Sequence, residues 1–175
     1  MEDEKSFSIL VHRHTPRFHG LAWRICPEHA EDVLQEAFAR LWAHPEAFDP
    51  TLGTRFTTWF SKVVVHLAID ACRRGRKVVP LKDTVAARLE DGREGIEEGV
   101  LRNEHRTHLE AAMKMLDPRQ RAALALVYIE EIPQKEAATQ MGLGLKAFES
   151  LLGRAKTTLR TRLETTDMVG KRRQR

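Results

Sequence analysis

Apolar residues return every three or four positions along almost the whole chain, a spacing that commits it to helices. Phe7, Leu10, His14, Phe18, Leu21 and Ile25 step along one face of a first helix, although Pro16 and Gly20 weigh against its running unbroken, and Pro27 marks a further break. Val33, Leu34, Ala37, Phe38, Leu41 and Trp42 form the apolar stripe of a second helix, about 30–43, and Asp32, Gln35, Glu36 and Arg40 lie off that stripe. After a loop with two prolines and Gly53, a third helix is predicted from Phe56 to about Arg74, with Phe56, Trp59, Phe60, Val63, Leu67 and Ala71 on its apolar side. Aromatic residues are 6% of the chain, so its apolar fraction is mostly Ala, Leu and Val, which suits helices better than sheets.

The pattern lapses from Val79 to about Gly99, where acids outnumber bases and Gly92, Gly95 and Gly99 punctuate the chain, and resumes at Leu101. Asp117-Pro118-Arg119-Gln120 is a helix start: Asp117 can cap, Pro118 suits the first helical position, and Gln120 stands where a capping box needs Glu or Gln. That helix should reach about Tyr128, the next should open at Pro133 and end at Gly142, and a last should run from Leu145 to about Glu164. The expected fold class is all-α: two small helical domains joined by a flexible linker, the C-terminal one containing a helix-turn-helix. The boundaries are 1–78, a linker over 79–100, 101–166, and a basic tail over 167–175, of which Lys171 to Arg175 is expected to be disordered.

The formal net charge of +4 is small, but its distribution is uneven. Cations cluster at Arg73, Arg74, Arg76 and Lys77 and again at Lys171 to Arg175, and acids gather from Glu90 to Glu98. Such segregation suggests nucleic acid on one face and a different partner on another, though ordinary solvated helix faces also produce single clusters. Two cysteines make no disulfide framework and fit a reduced compartment. Met1 to Lys5 is acidic without an apolar run, so no signal peptide and no membrane insertion are expected.

Gln134 to Lys156 reads as a helix-turn-helix. Ala138 is small where two helices cross, Gly142 can take the positive φ of the turn, and Phe148 can pack back on the first helix. The second helix then projects Lys146, Glu149, Ser150, Gly153, Arg154 and Lys156 outward, as a helix entering the major groove does. An ordinary helical hairpin with glycine at its corner fits the same spacing.

In order along the chain, Ala30 to Phe38 (AEDVLQEAF), Phe56-Thr57-Thr58-Trp59 with Val63 to Asp70 and Arg73-Arg74, Leu116 to Arg121 (LDPRQR), and Glu136 to Ala155 resemble regions 2.2, 2.3–2.4, 4.1 and 4.2 of extracytoplasmic-function (ECF) sigma factors of bacterial RNA polymerase. The chain departs from the family pattern at His66, Pro133, Gly144 and Leu151. The resemblance implies a non-enzymatic, cytoplasmic protein without a cofactor or metal. Its implied partners are core RNA polymerase (the β′ clamp helices and the β flap), promoter DNA and an anti-sigma factor.

The resemblance also assigns residues. Asp32, Gln35, Glu36 and Arg40 would dock on the polymerase, where complementary charge sets orientation and on-rate. Phe48, Asp49, Thr54, Arg55, Lys62, His66, Arg73 and Arg74 would hold the melted −10 element, which needs a cationic groove and a place for an unstacked base. Arg119, Arg121, Lys146, Ser150, Arg154, Lys156 and Arg160 would bind the −35 duplex. A tether of about twenty residues spans on the order of 70 Å when extended, enough to place two weak sites about two DNA turns apart.

Two other readings fit parts of the sequence. A sigma-like adaptor that sequesters an anti-sigma protein would tolerate the changes at His66 and Leu151. A metal-binding sensor would use His12, His19 and Cys26, spaced by seven, or Cys26 with His29, although Pro16 and Pro27 spoil that alignment.

Overall fold

The computed structural model describes residues 2–78 and 107–173, with side chains over 3–75 and 107–164. The expected tether, 79–100, lies outside the described residues, as do Arg76 and Lys77 as side chains. The chain is all-α, in two helical units with no strand among the described residues. Helices α1 (Glu2–Ile25), α2 (Ala30–Ala43) and α3 (Phe56–Val78) form the N-terminal unit. Helices α4 (107–114), α5 (Pro118–Tyr128), α6 (Gln134–Gln140) and α7 (Leu145–Arg173) form the C-terminal one.

The three N-terminal helices close on Phe18, Leu21, Ile25, Val33, Ala37, Phe60, Val64 and Val65, all buried. Phe18 and Phe60 meet at 4.8 Å between ring centres and Phe38 joins Phe60 at 4.9 Å, so one aromatic cluster ties all three helices. Helix α1 continues through Pro16, contrary to the expected break. Proline leaves the His12 carbonyl without its helical donor, but His12 and Pro16 are both exposed, where water satisfies that oxygen. Helix α7 also passes Glu164 and reaches Arg173, so the segment expected to be disordered, Lys171 to Arg175, is helical up to that residue; between Glu164 and Gly170 the sequence holds no helix breaker.

In the C-terminal unit α5 is the hub. Ala122 to Leu126 are buried without interruption, because α5 packs on α6 and α7 and also on α1 and α3 of the other unit. The capping box forms as the sequence predicts: the Asp117 carboxylate accepts from the Arg119 amide at 2.9 Å, and the Gln120 side chain accepts from the Asp117 amide at 3.1 Å.

Helix α6 ends in a Schellman turn. The Leu143 amide donates to the Ala138 carbonyl at 2.9 Å, and the Gly142 amide to Thr139 at 3.1 Å, with Gly142 at φ 65. A Cβ at Gly142 would meet nothing within 4 Å, so its substitution costs backbone strain alone. Gly142→Ala should therefore destabilise the protein by about 1–2 kcal/mol, read as a lower urea midpoint with an unchanged m-value.

Candidate functional site

The sequence places four polar residues on one side of α2, and the elements packed beside the helix divide them between different surroundings. Asp32 is exposed, with its carboxylate 3.6 Å from His29 Nδ1. Gln35 borders an apolar groove between α1 and α2 lined by Phe7, Val11, Leu34, Phe38 and Trp42. Glu36 lies toward α3: it pairs with Arg40 one turn on and is 4.0 Å from Arg74 of that helix. Arg40 thereby joins a second groove rather than the Asp32 surface.

That second groove runs between α2 and α3 and is lined by Arg40, Trp59, Lys62, His66, Asp70 and Arg74, with Val63 and Leu67 at its floor. It gathers Lys62, His66 and Arg74, three of the residues expected on the −10 strand; Arg73 is exposed on α3 outside the lining. His66 Nδ1 lies 2.8 Å from the Lys62 carbonyl. A carbonyl only accepts, so Nδ1 carries the proton and Nε2 is the ring nitrogen left for a ligand.

The loop before α3 is held by its own residues. Asp49 caps the 3-10 turn Pro50–Leu52, accepting from the Thr51 hydroxyl at 2.6 Å and the Thr51 amide at 2.8 Å. These two bonds hold its carboxyl below the usual aspartate range. Phe48 is half-buried against Phe56 and Trp59, 5.5 and 5.4 Å between ring centres. The resemblance puts both residues on the DNA; in the structure their contacts anchor the loop. Thr54 and Arg55 are exposed, and the loop tip presents Leu52, 76% exposed, which the sequence reading missed. The signal was local: an apolar residue between Pro50 and Gly53, the latter at φ 71, has no neighbour to cover it.

On α7, Phe148, Leu152 and Ala155 are buried against the unit, so Lys146, Ser150 and Arg154 lie on the exposed side. Arg154 Nε is 3.4 Å from the Ser150 carbonyl. Lys156 sits over the Tyr128 ring at 5.3 Å, and Arg160 pairs with Glu164 at 3.9 Å. Arg119 is exposed at the start of α5.

Arg121 corrects the sequence reading. It is expected to grip the DNA backbone beside Arg119, but two residues along a helix reverse direction. Arg121 is 3% exposed, and its Nη2 donates to Cys72 Sγ of α3 at 3.0 Å, so it faces the other unit. A second bridge joins the units nearby: Arg17 of α1 donates through Nε and Nη2 to Glu130 at 3.0 and 2.7 Å.

The histidines expected of a metal sensor are not assembled. Among the described residues the one group with metal-ligand spacing is Cys26, Glu28 and Cys72, and it includes neither His12, His19 nor His29. No helix of the described residues is long and apolar enough to cross a membrane.

Residues 10–78 match the family model for Sigma-70 region 2, and residues 106–159 that for Sigma-70, region 4. The chain is 30% identical over 131 residues to ECF RNA polymerase sigma factor SigM of Bacillus subtilis, covering 75% of this chain and 77% of that protein. It is 28% identical over 169 residues to ECF RNA polymerase sigma factor SigE of Mycolicibacterium smegmatis, covering 89% of this chain and 60% of that longer protein. Among solved structures, the sigma factor RpoE in complex with the anti-sigma factor NepR from Bartonella quintana is similar at a TM-score of 0.68 and 21% identity, over 91% of this chain and 98% of that one. A region 2 unit with a cationic α2–α3 groove, followed by a region 4 helix-turn-helix, places the chain in the ECF sigma factor family of transcription initiation.

Proposed function

We propose that this chain docks on core RNA polymerase through α2, holds the melted −10 element in the α2–α3 groove, and reads the −35 duplex with α7. The observation that carries the reading is the groove itself, where Arg40, Lys62, His66 and Arg74 converge with Val63 and Leu67; the loop before α3 adds an exposed apolar tip, Leu52. A cationic channel tracks a single strand, and an apolar tip can rest against an unstacked base. Asp32 and Gln35 are the proposed contacts to the β′ clamp helices, with Glu36 joining that surface to the groove. Thr54, Arg55 and Arg73 flank the strand, and Phe48 and Asp49 act by positioning the loop.

Lys146 and Ser150 are best placed for base edges, and Arg119, Arg154, Lys156 and Arg160 for phosphates. The C-terminal unit would also meet the β flap. An anti-sigma protein is a further proposed partner; the Bartonella sigma factor is in complex with one. The role is non-enzymatic and cytoplasmic, since nucleotide addition belongs to the polymerase. Permanganate footprinting of a promoter with holoenzyme tests the groove directly: thymines at −10 should become reactive with the wild type.

In the same assay His66→Asn should retain melting, because Asn keeps a donor and an acceptor at the groove. His66→Leu, which removes both, should lose roughly tenfold in open complex, an effect on the order of one hydrogen bond to a charged group. Equal footprints from all three proteins would remove His66 from strand binding.

A further inference from the structure

The contact between the two units carries chemistry that promoter binding does not use. Cys26 follows the last turn of α1 and Cys72 lies on α3; both are buried thiols, and their sulfurs, with a Glu28 carboxylate oxygen, lie within 4.8 Å of one another. Arg121 of the other unit closes over them. Its guanidinium is almost fully buried, donates to Cys72 Sγ, and leaves Nε without a hydrogen-bond partner. No carboxylate among the described residues forms an ion pair with it. A buried cation of this kind is stabilised by an anion, and the group it donates to, the Cys72 thiol, can become one.

We propose that Cys26 and Cys72 form a peroxide-responsive dithiol switch that sets whether helix α5 stays docked on the N-terminal unit. Cys72 is the attacking sulfur, because the Arg121 charge favours its thiolate. Cys26 is the resolving sulfur: its bond to Cys72 and its burial push its own ionisation up, so it keeps the proton. The Cys72 thiolate attacks one oxygen of hydrogen peroxide, forming S–OH as the O–O bond breaks and hydroxide leaves to become water. The Cys26 sulfur then displaces hydroxide from that sulfenic acid, its proton completing a second water, and the S–S bond closes. Two thiols are oxidised, one peroxide is reduced, and two waters form.

Closure removes the negative sulfur to which Arg121 donates; the Glu28 carboxylate, within 4.8 Å of that sulfur, makes no ion pair with the guanidinium, so docking weakens. A divalent cation is the rival occupant of the same three ligands, but a guanidinium 3.0 Å from one of them opposes a second positive charge there. The consequence for promoter binding rests on the proposed function; the switch itself does not, and its test contains neither DNA nor polymerase.

The purified full chain is titrated with hydrogen peroxide and followed by intact mass, thiol labelling and small-angle scattering. Wild type should lose two hydrogens within one chain and expand, with the docked-to-undocked ratio falling about a hundredfold, as expected when a buried pair loses one partner. Dithiothreitol should reverse both changes. Cys26→Ser should instead accumulate a sulfenic acid at Cys72, trapped by dimedone.

Arg121→Met fills the same space without a charge; it should form the disulfide yet keep its dimensions. Thiols that stay labelled throughout, a disulfide without expansion, or equal expansion in Arg121→Met would each overturn the switch. So would zinc that binds the reduced chain stoichiometrically and shields both thiols from peroxide.

Discussion

Asp32→Arg combined with Glu36→Arg is expected to weaken binding to core polymerase by roughly a hundredfold, because like charges facing each other at an interface cost several kcal/mol. The two positions act differently. Asp32 is exposed and its partner His29 lies on its own side of the helix, so reversal there should touch binding alone. Glu36 is half-buried and holds both Arg40 and Arg74, so Glu36→Arg also places a third cation beside the groove. Asp32→Arg alone should therefore weaken core binding and leave the groove's hold on single-stranded DNA unchanged, whereas the double variant should alter both. Titration of labelled core polymerase measures the first effect, and a melted −10 oligonucleotide bound to the assembled holoenzyme measures the second. Wild-type affinity from a double variant with a normal circular dichroism spectrum would remove α2 from the docking surface.

Replacing Arg73 and Arg74 by alanine should reduce open-complex formation by one to two orders of magnitude at moderate salt, and less at high salt. Each cation removed from a single-strand phosphate lowers the slope of log affinity against log salt by about 0.7. Arg74 is the more informative of the two, since it lines the groove and approaches Glu36 at 4.0 Å. Its removal also leaves Glu36, an acid near the strand, with Arg40 as its one remaining cation, so Arg74→Ala should cost more than Arg73→Ala. Because both arginines are exposed, the thermal midpoint should hardly move. Open-complex yield that is unchanged at every salt concentration would make both residues solvated surface.

Features written in short stretches of chain were legible before the structure. Asp117 and Gln120 satisfy amides within three residues, and Gly142 terminates a helix through bonds reaching no further than Ala138. The apolar stripes of α1, α2 and α3 follow from helical period alone. What stayed hidden depends on distant partners. Arg121 looks like any basic residue at a helix start, and its burial is decided by Cys72, 49 residues away; Arg17 and Glu130 are 113 apart. No local pattern announces either pairing.

Pro16 shows the converse limit: a strong local breaker is tolerated because the carbonyl it orphans faces water. Phe48 and Asp49 do lie in the loop, as their place before α3 predicts, but whether such side chains face inward or outward is settled by Phe56, Trp59 and Thr51. On α2, the split of Gln35 and Arg40 between two grooves depends on where α1 and α3 pack, which the stripe alone does not specify.

Whether this chain confers promoter selectivity on core polymerase is decided by adding the purified chain to core enzyme and mapping transcript starts across genomic DNA. Starts should concentrate at a small set of sites sharing −35 and −10 elements, and this concentration should vanish when α7 carries Lys146→Ala, Ser150→Ala and Arg154→Ala. Starts no more selective than those of core enzyme alone would contradict a sigma factor role for the chain.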